Sequence, residues 1–212
     1  METDPRVLRH YEQGIEAERL WRPGVGELVR LRTWDIFDRV LPPSGRVADI
    51  GGGPGTHARH LLDLGYEVVL VDPVQRLIDH AVEATGGRAT CVVGDARQLD
   101  LDDGTFDAVL LMGPLYHLPD ADDRFRALTE AARVLRPGGR LITEVVGRHL
   151  WLLDAVAKST LGDPEVRSRF DANLERGLSV DPSVLSDGGF FAYLHSVREV
   201  RNEVERAGFE EA

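Results

Sequence analysis

Residues 47–61 read VADIGGGPGTHARHL, and four of the five positions from 51 to 55 are glycine. A short apolar run ends at Asp49-Ile50, and beyond the glycines Ala58, Leu61 and Leu62 recur at helical spacing. The stretch therefore predicts a buried strand over 46–50, a glycine turn, and a helix over 56–64 stopped by Gly65. Glycine at 51, 53 and 55 makes positive φ available for the bend and, without Cβ atoms, leaves room for a ligand against the backbone. The following helix offers free N–H groups from Thr56 onward to a carboxylate or a phosphate.

The pattern repeats outward. Residues 67–71, 89–93, 106–112 and 140–146 read as further buried strands, the last introduced by the turn Arg136-Pro137-Gly138-Gly139. Residues 75–84 and 122–135 read as helices, with Leu77, Ile78, Ala81 and Val82 inward on one and Phe125, Leu128, Ala132 and Leu135 on the other. Such alternation specifies an α/β, Rossmann-like, doubly wound and mostly parallel sheet with helices on both faces. Within a single domain spanning 1–212, residues 1–45 read as a helical N-terminal cap and 46–146 as the core. Residues 147–195 read as a helical insertion or lid, and 196–212 as a C-terminal helix opened by the capping box of Ser196 and Glu199.

Composition narrows the function. With 212 residues, 42% apolar and 29% charged, the chain buries one substantial core. Cys91 is the only cysteine, which excludes an intramolecular disulfide, a cysteine-rich zinc site and a three-cysteine cluster. The net charge of -11 argues against nucleic acid as a partner. Lys158 is the only lysine and lies far from the glycines, so a P-loop is excluded. No apolar run reaches the roughly 20 residues of a membrane span, and residues 1–14 lack the apolar core of a signal peptide, so a cytoplasmic location without membrane contact is expected.

The pattern Asp49-x-Gly51-x-Gly53-x-Gly55 resembles the first motif of class I S-adenosylmethionine (SAM) dependent methyltransferases, and the likeness extends over most of 46–146. The resemblance implies an enzyme that uses SAM and releases S-adenosylhomocysteine (SAH). It implies that Asp72, followed by Pro73, holds the ribose hydroxyls, and that Asp95 and the Ala96 N–H in Gly94-Asp95-Ala96 meet the adenine. Tyr11 is similar to an N-terminal aromatic that closes over the methionine end, and Met112 by position lines the methyl site. The family's sheet runs 3-2-1-4-5-7-6, whereas this sequence ends at Ala212, where the sixth strand is due. The expected order is thus 3-2-1-4-5, with the sixth and seventh strands missing. Either the chain is a shortened form, or its fifth-strand edge is covered by the insertion, a partner or a second copy.

Two alternatives stand beside this one. Gly53-x-Gly55-x-x-Ala58 also satisfies the looser dinucleotide fingerprint, and Asp72 would serve NAD in an oxidoreductase; the third reading is a SAM-binding protein without catalysis. In Met112-Gly113-Pro114-Leu115-Tyr116-His117, Gly113 replaces the Asp or Asn with which amino-methyltransferases of nucleobases and glutamine hold their acceptor. That departure points to a small-molecule acceptor methylated on oxygen, carbon or nitrogen. Tyr116 and His117 are the nearest candidates for proton transfer, with His195 a further one. His10, His57, His60, His80 and His149 have no mutual metal-ligand spacing and read as surface or core; no metal is expected.

Overall fold

The computed structural model describes residues 4–12, 16–181 and 190–210. Cap helices α1 (Pro5–Glu12), α2 (Glu16–Arg19) and α3 (Val25–Val40) lead into β1 (Arg46–Ile50). Then follow α4 (Thr56–Asp63), β2 (Glu67–Asp72), α5 (Gln75–Thr85), β3 (Thr90–Val93), β4 (Phe106–Leu111), α6 (Pro114–His117), α7 (Ala121–Val134) and β5 (Leu135–Thr143). The five strands are parallel in the order β3-β2-β1-β4-β5.

Side chains alternate across this sheet, and both faces are covered. Val47, Val68, Leu70 and Leu110 pack with Phe37 of α3, Leu61 of α4 and Ile78 of α5. Ala48, Ile50, Val71 and Val109 face the other way, toward Leu128 and Ala131 of α7. Two-sided burial is why these strands read as continuous apolar runs. Arg136 to Gly139, expected as a turn before the last strand, are an irregularity within it: Phe106 pairs with Leu135, and pairing resumes between Ala108 and Arg140.

Beyond β5 the chain continues through β6 (Val146–Gly147), α8 (Leu150–Ala157), α9 (Pro164–Arg176), β7 (Leu178–Asp181), β8 (Phe190–His195) and α10 (Val197–Arg206). The helical reading of 147–195 is therefore corrected: it describes α8 and α9, while β7 and β8 pair antiparallel and β8 runs parallel to β6. The run Phe190-Phe191-Ala192-Tyr193-Leu194-His195 favours a strand, and in that form it buries Ala192 and Leu194 with Tyr116, Val146 and Trp151. This hairpin extends β6 and builds a second, three-stranded sheet; among the described residues β5 has β4 as its ladder partner and no strand on its outer edge.

Buried Arg124 ties the two sheets together. Its guanidinium pairs with Glu203 of α10 at 2.7 Å, donates to the carbonyls of Leu118 and Pro119 at 2.9 Å each, and stacks over Tyr193 at 3.7 Å. The predicted capping box of Ser196 and Glu199 is present at the start of α10. Among the described residues no helix is long and apolar enough to cross a membrane.

Candidate functional site

A cavity of about 340 Å³ opens beyond the C-terminal ends of β1, β2, β3 and β4. Ligands of open parallel sheets bind at this position. Gly51, Gly53, Asp72, Pro73, Asp95, Ala96, Met112, Tyr11, Tyr116 and His117 all line it. Neither Gly55 nor Asp49 nor His195 does.

The glycines divide by purpose. A Cβ on Gly51 would stand 2.6 Å from Cδ of Pro114, and one on Gly55 would stand 3.2 Å from Cα of Ala81. Both positions are thus tight against the protein itself; Gly51 nevertheless lines the cavity as expected, whereas Gly55 lies away from it, a correction to the reading of Gly55 as room for a ligand. Gly53 opens onto the cavity: it has φ +54 and no atom within 4 Å of its would-be Cβ. Asp72 fixes the loop in this form, accepting from the Gly53 N–H at 3.0 Å and the Val74 N–H at 2.9 Å. Burial lifts its pKa to about 6 despite those two donors. Asp49 lies behind the loop, fully buried, and among the described residues neither of its oxygens has a hydrogen-bond partner of good geometry. Burial and the neighbouring Asp72 raise its pKa to about 7, against a weak pull from the Ala58 N–H. Asp95 is also buried in part, yet Arg97 grips both of its oxygens and holds its pKa below the usual range; Arg97 in turn reaches Asp123 at 2.7 Å.

The cap supplies the opposite wall. Tyr11 and His117 share a hydrogen bond of 2.7 Å between Oη and Nε2, which joins α1 to α6 across 106 residues of sequence. Burial raises the pKa of Tyr11 and of Tyr116, so both stay neutral phenols. Beneath them Trp34 of α3 stacks on His60 at 3.9 Å and donates its indole N–H to Nδ1 of His57 at 3.2 Å. Burial, Arg19 and His60 together lower the pKa of His57 to about 4, which keeps it neutral.

His195 is a correction of a different kind. Its side chain is fully buried between Tyr193 and Glu203, with Nε2 at 3.3 Å from the Glu203 carboxylate, and it belongs to the contact between β8 and α10. Among the cavity residues that the sequence did not assign to the site are Glu16, Arg19, Glu144 and His57, the last read as surface or core. His57 follows Thr56 at the start of α4, and Glu144 follows the last residue of β5, so position at a strand or helix end was the available signal for both. Glu16 and Arg19 gave none, because only the closure of the cap brings them there. Among the described residues no three His, Cys, Asp or Glu side chains are grouped to hold a metal.

Comparison with known proteins agrees with this geometry. Residues 48–143 match the family described as "Methyltransferase domain". An uncharacterized methyltransferase of Mycobacterium tuberculosis is 38% identical over 108 residues, 50% of this chain and 42% of that protein. A demethylmenaquinone methyltransferase of Beutenbergia cavernae is 31% identical over 150 residues, 68% of this chain and 57% of that protein. The chain thus spans about half the length of these curated relatives. Among solved structures, a SAM-dependent methyltransferase of Methanosarcina mazei superposes with a TM-score of 0.67 at 26% identity, covering 82% of this chain and 84% of that one.

Proposed function

We propose that this chain, whose residues 48–143 match the methyltransferase domain family, is a class I SAM-dependent methyltransferase that transfers a methyl group from SAM to a small-molecule acceptor and leaves SAH. The observation that carries the proposal is the single cavity onto which the glycine loop, Asp72, Ala96 and Met112 open from one side and Tyr11, Tyr116 and His117 from the other. These residues fit the cofactor. Gly53 leaves open space where a side chain would stand. Each oxygen of Asp72 spends one lone pair on the loop and retains another for a ribose hydroxyl. Asp95 keeps one on Oδ2 beyond its bond to Arg97.

When bound, SAM supplies a methyl group already activated on a sulfonium. The chain's own task is to orient the acceptor, exclude water and receive a proton where the acceptor carries one. Closure of α1 and α2 over the strand ends accomplishes the exclusion, and Tyr11 latches it through His117. The likeness to a demethylmenaquinone methyltransferase supports a small acceptor, and the net charge of -11 supports one other than nucleic acid. Calorimetric titration with SAM, SAH and NADH tests the cofactor, and transfer of labelled methyl into a metabolite extract tests the activity. Binding of SAH with label transfer is expected. A preference for NADH would overturn the reading in favour of an oxidoreductase, and tight SAH binding without any methylated product would leave a SAM-binding protein.

A further inference from the structure

Seven carboxylates line the cavity, and six of them are engaged by the protein itself. Asp4 pairs with Arg6 at 2.7 Å, Glu16 with Arg19 at 2.6 Å and Asp95 with Arg97 at 2.6 Å. Asp123 meets Arg97 at 2.7 Å, Asp120 caps α7 through the Asp122 N–H at 2.8 Å, and Asp72 holds the glycine loop. Glu144 differs: among the described residues its side chain has neither a hydrogen bond nor an ion pair, although it is partly buried. The backbone pins it in place, since its N–H donates to the Leu111 carbonyl at 3.3 Å and the preceding Thr143 hydroxyl donates to the same carbonyl at 2.9 Å. It therefore stands at the paired ends of β4 and β5, next to Met112. An unpaired carboxylate in the wall of such a cavity has a lone pair to offer whatever enters.

We propose that Glu144 is a catalytic residue that receives the proton of an acceptor whose nucleophilic atom is a hydroxyl oxygen or an amine nitrogen, an inference that rests on the methyltransferase reading above. The acceptor's O–H or N–H proton passes to the Glu144 carboxylate and then to solvent. The electron pair of the acceptor atom forms the new bond to the methyl carbon. The carbon–sulfur bond breaks with its pair going to sulfur, so the donor departs as a neutral thioether. Burial raises the pKa of Glu144, the charge of Glu16 acts in the same direction and Arg19 opposes them, which brings the carboxylate toward the working range of a general base. Tyr11, Tyr116, His117 and Asp72 line the same cavity; Asp72 is held by backbone N–H groups and His117 by Tyr11.

The test uses SAM carrying a 13C methyl group, the full chain, and a small-molecule extract freed of protein and nucleic acid. The carbon chemical shift of the product separates O-methyl, N-methyl and C-methyl classes before any product is identified. Label on oxygen or nitrogen is expected, with Glu144→Gln reducing kcat by about 100-fold or more while SAH affinity and melting temperature stay at the wild-type values. The fall of wild-type kcat at saturating SAM toward acid pH, as Glu144 takes up a proton, is expected to vanish in the Gln variant, and Glu144→Asp is expected to recover part of the rate. Label on carbon, or a Gln variant within about threefold of wild type, would overturn the assignment while leaving the methyltransferase reading intact. Wild-type protein that binds SAH and labels nothing would overturn both.

Discussion

One wall of the cavity is held by backbone geometry and the other by side chains. On the strand side, the Gly51 N–H reaches the Val71 carbonyl at 2.7 Å, and Asp72 collects the N–H groups of Gly53 and Val74. On the cap side, Trp34 stacks on His60, Arg30 sits over both Trp21 and Trp34 at 4.4 and 4.7 Å, and Tyr11 meets His117. A backbone cradle needs particular residue types at fixed spacing, whereas a side-chain clasp needs only partners that tertiary folding brings together. The first wall should be intolerant of single substitutions, and the second should yield by smaller steps.

The largest effect is expected at Gly51. Alanine there would meet Pro114 at 2.6 Å and hold φ +73, adding a left-handed backbone cost to an overpacked contact; together these amount to roughly 2 to 4 kcal/mol of stability. Gly53→Ala should lose about 1 to 2 kcal/mol, the backbone cost alone, because its Cβ enters open space. Its defect should appear instead as weaker SAH binding. Thermal denaturation and calorimetry on both variants would separate them, and equal losses of stability would remove the division of the glycines by purpose.

Asp72→Ala comes next. It should weaken SAH binding by roughly 1.5 to 3 kcal/mol, the scale of hydrogen bonds to a charged acceptor. It should also lower stability, since the Gly53 and Val74 N–H groups lose their acceptor. A folded variant with wild-type SAH affinity would show that Asp72 serves the loop and not the ligand.

These two cases show what the sequence made legible. The strand ends and the glycine turn could be placed because alternation and glycine spacing are local signals, and the order of the five strands followed from the family likeness. The assignment of Gly55 to the ligand failed because the close approach of Ala81 is a contact between α4 and α5, which spacing does not encode. Glu144 escaped notice because a lone acid after an apolar strand looks like ordinary surface; what distinguishes it is the pairing of every neighbouring acid. The hairpin of β7 and β8 escaped because its apolar run was read as part of a helical lid, and its packing partners, Tyr116 and Val146, lie far away in sequence.

Asp49 gives a prediction in pH. The folded state holds its proton up to about pH 7, while an unfolded chain releases it near 3.9. The native state therefore binds the proton more tightly, and stability falls as pH rises between those values. Asp49→Asn removes the dependence, so its stability relative to wild type should improve by roughly 2 to 4 kcal/mol between pH 4 and pH 8. Denaturant titrations at the two pH values test it. A difference that stays constant with pH would mean that Asp49 is ionised in the folded protein and has a partner there.

The smallest effect belongs to the clasp. Tyr11→Phe removes the hydroxyl that meets Nε2 of His117 at 2.7 Å but keeps the edge-on ring contact, with centroids 5.3 Å apart. A hydrogen bond of this kind contributes about 1 kcal/mol net, and the tryptophan stack is untouched. The melting temperature should therefore barely move. The loss should fall on the closed position of α1, read as faster hydrogen exchange in Pro5–Glu12 and as SAH dissociation accelerated about fivefold, the equivalent of that 1 kcal/mol. A double-mutant cycle of Tyr11→Phe with His117→Ala isolates the pair, because the deletion of either partner already removes the bond. A coupling near 1 kcal/mol assigns the closure to this contact. A coupling of zero with an unchanged dissociation rate would show that contacts other than this pair hold the cap, so that the second wall, like the first, is set by rigid elements instead of by a latch.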